Sequence, residues 1–155
     1  MNKFMNVALE EAREGISKGH GGPFGAVIVK DGEIIARGHN HVVANNDPTC
    51  HGEIDAIRKA CAALNTFDLT GCELYTTGYP CPMCLSAIIW ANIKKVYFSC
   101  NPKDAEDIGF RDDFIYKFIE DKCADVNTLD LEECAREDGL KLFEEYSSIQ
   151  DKTHY

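Results

Sequence analysis

Residues 72–100 constrain the fold most, because they predict a strand, a helix and a second strand in direct succession. Residues 72–76 and 94–100 have the apolar and aromatic content of strands. Between them, Pro82 stands at the first turn of a predicted helix over residues 82–90, a position where proline is favoured. Strands that are joined by a helix pair in parallel, so this segment predicts part of a parallel sheet.

The flanking sequence extends this pattern into a predicted three-layer α/β/α sandwich. A helix is predicted over residues 2–18, with Gly19 as its terminating residue, and a hairpin over residues 24–36 turns at Asp31-Gly32. A second helix is predicted to begin near His51 and to run to residue 64. Two further helices are predicted at residues 114–119 and 131–146, and the whole chain is interpreted as a single domain over residues 1–155.

Charge and cysteine content exclude several classes of protein. The formal net charge is −10, and residues 101–155 carry 16 acidic against 7 basic side chains, so no basic surface for nucleic acid is expected. The sequence offers neither a membrane-spanning stretch nor a secretion signal, which predicts a cytoplasmic protein. The eight cysteines are therefore expected to be reduced thiols rather than a disulfide framework.

One imidazole and two thiols have the spacing of a catalytic zinc site. His51 begins one predicted helix, and Cys81 and Cys84 begin another, so two helix starts would aim at one metal ion. Three protein ligands leave the fourth position of a tetrahedral Zn²⁺ open to water. His39, His41 and Cys50 lie near this motif in the sequence but are assigned no metal, since a fourth protein ligand would close the site.

Glu53 follows His51 by two residues and is interpreted as a proton carrier rather than a ligand. Zinc lowers the pKa of bound water to near neutrality, and a neighbouring carboxylate can take the proton and deliver it to a substrate. Alone, a His-x-Glu motif indicates only a helix start, and a Cys-x-x-Cys motif indicates a structural or redox site. Their combination in this order predicts hydrolytic chemistry.

This signature of His-x-Glu and Pro-Cys-x-x-Cys resembles the cytidine deaminase-like superfamily of zinc-dependent enzymes, whose base deaminases carry it. Four further segments are similar to the bacterial guanine deaminases within that superfamily, and the resemblance covers essentially the whole chain. It implies a mixed sheet of about five strands and the hydrolysis of guanine to xanthine and ammonia. The four segments are residues 21–32, 45–49, 56–61 and 109–116.

The resemblance also implies roles for individual residues. Asn40 and Asp112 would bind the purine through hydrogen bonds, and the aromatic rings of Phe24 and Trp90 would line the pocket. Such enzymes exchange C-terminal segments between two subunits, which predicts a domain-swapped homodimer that exchanges residues from about 125 to 155. Tyr155, the last residue, would close a pocket, either its own or the partner's.

Several alternatives remain open from the sequence. Gly78, Tyr79 and Arg111 depart from the pattern of purine-acting relatives, which usually have glutamate in the place of Tyr79. A related substrate such as guanosine, cytosine or an aminotriazine would fit these departures. A transfer-RNA adenosine deaminase shares the zinc motif, although the acidic charge balance disfavours it. A zinc-binding interaction module without catalysis would not need Glu53.

Overall fold

The computed structural model describes residues 2–155. It contains a four-stranded sheet and seven helices within this range. Residues 2–100 show the predicted elements in the predicted order, with one short additional helix over residues 42–45 that was not predicted. The strands are β1 (Gly25–Lys30), β2 (Glu33–His39), β3 (Cys72–Gly78) and β4 (Lys95–Cys100). The helices are α1 (Lys3–Ser17), α2 (Val42–Asn45), α3 (Gly52–Leu64), α4 (Pro82–Trp90), α5 (Pro102–Asp107), α6 (Asp113–Glu120) and α7 (Arg136–Ser148).

The sheet is mixed, with the strand order β2-β1-β3-β4. β1 pairs antiparallel with β2 and β3, whereas β3 and β4 are parallel across the α4 crossover, as predicted. Asp31 and Gly32 turn the hairpin with φ values of 50° and 78°, which a two-residue turn of this kind requires. Four strands are present in residues 2–155 where the resemblance implies about five.

Helices cover both faces of the sheet, which confirms the predicted three-layer architecture. β1 is buried on both faces because its side chains alternate between two clusters. On one face, Ile28 packs with Ala56 and Ala60 of α3 and Ile88 of α4. On the other face, Val27 and further strand residues pack with α1.

Glycine lets two helices approach the sheet closely. A Cβ atom added at Gly25 would lie 2.1 Å from the carbonyl oxygen of Ala8 in α1, and one added at Gly38 would lie 2.5 Å from the backbone nitrogen of Ala56 in α3. Both distances are shorter than van der Waals contact. Any larger residue at either position would therefore push a helix away from the sheet.

The chain divides into two compact units, residues 1–112 and 113–155. The second unit contains α6, as predicted from its apolar spacing, and α7. The predicted helix over residues 131–146 is too early at its start, because Ala135 has a φ of 51° and α7 begins only at Arg136. Among the described residues, none of the helices is long and apolar enough to span a bilayer.

Candidate metal and active site

Two helix N-termini bring the predicted metal ligands together. His51 is the N-cap residue of α3, and Cys81 is the N-cap residue of α4, both with extended backbone conformations. Pro82 occupies the first turn of α4, and the backbone N–H of Cys84 donates a hydrogen bond to the Cys81 sulfur at 3.5 Å. The two helices lie in the same layer, so their starts face one common point.

The spacing of the three ligand atoms fits a zinc ion. Nδ1 of His51 lies 3.5 Å from the sulfur of Cys81 and 3.6 Å from the sulfur of Cys84. On a tetrahedral zinc ion with ordinary bond lengths, a sulfur and a nitrogen ligand lie about 3.5 Å apart. The donor set and these two separations therefore suit Zn²⁺, and these residues could hold a metal ion.

The electrostatics of these side chains favour a cation at the same point. A hydrogen bond from the Cys84 thiol lowers the pKa of Cys81 to about 4, so that Cys81 is a thiolate near neutral pH. The hydrogen bond to Cys81 raises the pKa of His51. Without metal, the Cys81 thiolate thus lies within hydrogen-bonding distance of the Cys84 thiol and of the His51 ring. A dication can replace the proton of the Cys84 thiol, which is the usual coupling of metal binding to ligand ionisation.

Glu53 lies beside the ligands, in the first turn of α3, and only 6% of its surface is exposed. Its Oε2 atom lies 3.5 Å from the Cys84 sulfur, and its Oε1 atom lies 3.2 Å from the hydroxyl oxygen of Thr76. Burial raises the pKa of the Glu53 carboxyl, so this group can hold a proton closer to neutral pH than an exposed glutamate can.

Thr76 is a site residue that sequence reasoning did not identify. It lies in β3, is almost fully buried, and its hydroxyl can donate either to Glu53 or to the backbone carbonyl of Gly78, each at 3.2 Å. The only indication that the sequence offered was a polar residue in line with the buried Cys72 and Leu74 of β3, five residues before the Cys-Pro-Met-Cys motif.

Three predicted substrate-binding residues have the following surroundings. Asn40 is buried at the end of β2, and its Oδ1 accepts a hydrogen bond from the backbone N–H of Val42 at 3.0 Å. Phe24 packs edge to face against Phe110 with the ring centres 5.0 Å apart. Asp112 is half-buried, and its charge contributes to the raised pKa of His51. Their binding roles stay predictions.

The other two predicted residues are exposed in the units that contain them. Trp90 ends α4 and is 65% exposed. It lies six residues after Cys84, about 9 Å farther along the helix axis. Tyr155 belongs to the second unit and is exposed. Their places in the pocket stay predictions.

Of the three residues at which the sequence departs from purine-acting relatives, Gly78 and Tyr79 lie in the segment that leads to Cys81. Tyr79 directly follows β3, is partly exposed, and packs edge to face against Phe98. A Cβ atom added at Gly78 would lie 3.3 Å from the Phe24 ring, which leaves little room for a larger residue. Arg111 is exposed, and its side chain lies within 3.9 Å of Glu106.

With this geometry established, comparison with known proteins identifies the class. The model of the cytidine and deoxycytidylate deaminase zinc-binding region matches residues 1–100, and the chain belongs to this family. The predicted resemblance and the predicted zinc dependence are thereby confirmed.

Within the family, the chain is 47% identical to the guanine deaminase of Bacillus subtilis over 152 residues, which is 98% of this chain and 97% of that one. The crystal structure of guanine deaminase from Bacillus subtilis matches with a TM-score of 0.93, covering 100% of this chain and 99% of the other. A tRNA-specific adenosine deaminase of Aquifex aeolicus is 51% identical over 100 residues, which is 64% of this chain and 66% of that one.

Proposed function

We propose that this protein is a zinc-dependent aminohydrolase that converts guanine and water to xanthine and ammonia. The observation that carries the proposal is the similarity to guanine deaminase along essentially the whole chain. The Aquifex tRNA-specific adenosine deaminase is similar over only 64% of this chain, and residues 101–155, which lie beyond the family match, are strongly acidic. An acidic surface is a poor match for the phosphates of transfer RNA.

His51, Cys81 and Cys84 would hold the zinc ion. When bound, zinc supplies a water molecule whose pKa is lowered to near neutrality. The Glu53 carboxyl lies beside the ligands and burial raises its pKa, so it would accept a proton from water and deliver it to the ring nitrogen next to C2 of guanine as the water oxygen bonds to C2. Glu53 would then take the remaining proton of that oxygen and deliver it to the amino group. The C2–N bond would break, ammonia would leave, and the oxygen would become the C2 carbonyl of xanthine.

Asn40, Asp112 and Phe24 would recognise the base. The hydrogen bond from Val42 engages Oδ1 of Asn40, which orients Nδ2 as a donor for an acceptor atom on the purine. The Asp112 carboxylate would accept hydrogen bonds from purine N–H groups. Phe24 and the C-terminal Tyr155 would enclose the base and exclude water, which strengthens these polar contacts.

The active form would be a domain-swapped homodimer in which Trp90 and Tyr155 contribute to a pocket. Support for an interface comes from the first unit, where β4 is an edge strand and large apolar side chains at the end of α4 and on β4 are exposed. Exposed apolar surface of this kind marks interaction sites. The exposed residues are Ile89, Trp90, Tyr97 and Phe98.

A second candidate is the deamination of a related substrate. Tyr79 places a phenol next to the zinc loop where purine-acting relatives usually carry a carboxylate. This exchange removes a hydrogen-bond acceptor for a purine N–H group and adds volume. Guanosine, cytosine or an aminotriazine would then be preferred, with the same metal chemistry.

A cytoplasmic location, expected from the sequence, is part of the proposal, and free thiols at all eight cysteines are compatible with it.

The experiment is to supply the purified zinc-loaded protein with guanine, guanosine, cytosine, an aminotriazine and adenine, each alone, and to measure ammonia. We expect release from guanine at the highest kcat/KM. The Glu53→Gln variant is the matched control for background hydrolysis. If another substrate has a higher kcat/KM, that substrate takes the place of guanine in the proposal. If no substrate releases ammonia, the result would favour a zinc-binding module without catalysis.

A further inference from the structure

A second cluster of metal-binding side chains lies apart from His51, Cys81 and Cys84. His20, His39 and His41 each bring a ring nitrogen to within 4.8 Å of the others. His20 precedes β1, His39 ends β2, and His41 follows it. Nδ1 of His20 lies 2.9 Å from Nε2 of His39, and the rings of His39 and His41 are stacked with their centres 4.2 Å apart.

The hydrogen bonds around two of these rings leave Nε2 as the nitrogen with a lone pair. Nδ1 of His39 lies 3.0 Å from Oε2 of Glu11, and Nδ1 of His41 lies 2.7 Å from the carbonyl oxygen of His39. Both oxygens are acceptors, so each Nδ1 carries a hydrogen. A carboxylate or carbonyl that receives Nδ1–H in this way is the usual partner of a metal-binding histidine, because it fixes the tautomer and the ring orientation.

The surroundings are anionic and mostly buried. Besides Glu11, the carboxylate of Asp55 lies 3.6 Å from Nδ1 of His41 and also pairs with Lys59 at 2.8 Å. His39 is 6% exposed, and the side chains of Glu11 and Asp55 are about one-seventh exposed. If the three imidazoles are neutral, Glu11, Asp55 and Lys59 together carry a net charge of −1. A bound dication would change this net charge to +1. Imidazole ligands select borderline transition metals such as Zn²⁺ over Mg²⁺ or Ca²⁺.

We propose that His20, His39 and His41 form a second metal site, which takes a divalent transition-metal ion of the zinc type. In the absence of metal, Nδ1–H of His20 donates to Nε2 of His39. On metal binding, the His20 hydrogen would move to Nε2 of the same ring and Nδ1 would bind the ion. The two nitrogens would then move from 2.9 Å to about 3.3 Å apart, the separation on a tetrahedral ion with ordinary bonds.

The site would clamp two segments that lead to the proposed substrate pocket. The carbonyl oxygen of His20 already accepts hydrogen bonds from the backbone N–H groups of Val43 and Ala44, so the loop before β1 rests on the start of α2. Asn40 lies between two of the three ligands in the chain. Metal binding would therefore rigidify the backbone that carries Asn40, and its role would be structural rather than catalytic.

The test is a titration of metal-free full-length protein with Co²⁺, followed by absorption spectroscopy. We expect two equivalents to bind. One shows thiolate-to-cobalt charge transfer in the near ultraviolet, as expected for the His51, Cys81 and Cys84 set. The other shows only the visible bands of nitrogen and oxygen ligation. His20→Ala should remove the second equivalent and leave the first, while the exposed His154→Ala is the matched control and should keep both.

A milder variant guards against a folding defect in His20→Ala. Glu11→Gln should lower the affinity for the second Co²⁺ equivalent by about 10- to 100-fold, which is the usual effect of losing a carboxylate partner of a ligand histidine. The affinity for the first equivalent should not change. Saturation at one equivalent would overturn the proposal. So would a second equivalent with thiolate charge transfer that disappears in Cys50→Ser, because His41, Cys50 and Asp55 would then be the ligands.

Discussion

The hydroxyl oxygen of Thr76 lies 3.2 Å from Oε1 of Glu53, while the other carboxyl oxygen of Glu53 faces the sulfur of Cys84. Thr76 can donate to the carboxylate form of Glu53. When Glu53 is protonated, the same hydroxyl can turn to the carbonyl of Gly78 and accept from the carboxylic acid. Thr76 can therefore hold the carboxyl in one orientation through both protonation states, which makes it a positioning residue for proton transfer.

Replacing Thr76 by valine keeps the shape of the side chain but removes this hydrogen bond. Because a hydrogen bond of this kind contributes about 0.5–1.5 kcal/mol, we expect kcat to fall by roughly 2- to 10-fold with KM nearly unchanged. Steady-state kinetics on guanine measures both. Thr76→Ser should restore most of kcat, and a serine variant as slow as the valine variant would show that packing, not the hydroxyl, matters.

Glu53→Gln separates proton transfer from metal binding. The amide is similar in size to the carboxyl but cannot carry a proton at neutral pH. Since each proton transfer contributes about 10²–10⁴-fold to a rate, we expect turnover to fall by several orders of magnitude while zinc content and thermal stability stay close to those of the unchanged protein. Elemental analysis and ammonia release check this. Near-normal activity would refute the assignment of Glu53.

Cys84→Ala should remove the zinc ion and destabilise the start of α4, because a fully buried thiolate ligand couples metal binding to folding. We expect the zinc content of the catalytic site to be lost and the melting temperature to fall. Cys134→Ser is the matched control, since Cys134 is exposed and far from the ligands in sequence. A full zinc complement in Cys84→Ala would show that the ligand set is wrong.

Deleting residues 151–155 tests the proposed role of the C-terminal tyrosine. Without Tyr155 the pocket would lose one wall, so we expect a higher KM for guanine and a lower kcat, with the zinc content unchanged. Mass determination in solution should give a dimer for both forms. Unchanged kinetics of the shortened protein would reject the closing role, and a monomeric mass of the full chain would reject the swap.

Local features of the sequence predicted the elements that carry the site. Asp31-Gly32 and Pro82 specify their turn and helix start through backbone geometry alone, and His51 and Cys81 are cap residues of the predicted helices. The turn and the caps depend on neighbours in sequence, which is why local patterns indicate them. The proposed ligand set was predicted from residue types and from their order along the chain, because a His-x-Glu motif followed by a Cys-x-x-Cys motif is typical of one chemistry.

Tertiary contacts account for what the sequence did not predict. Thr76 belongs to the site only because β3 runs beside α3, and the contact between His20 and His39 joins residues 19 positions apart. The last helix was also predicted to begin too early, at residue 131. Apolar spacing does not indicate the left-handed backbone conformation of Ala135, after which α7 begins. These features arise from packing and backbone geometry that no local pattern encodes.

The most direct test of the account is ammonia release from guanine before zinc removal, after chelation, and after zinc is restored. We predict one ammonia for each xanthine formed by the zinc-loaded protein, loss of turnover on removal of zinc, and recovery when about one equivalent has filled the His51, Cys81 and Cys84 site. Undiminished turnover by the zinc-free protein, or no ammonia from guanine under any of these conditions, would contradict it.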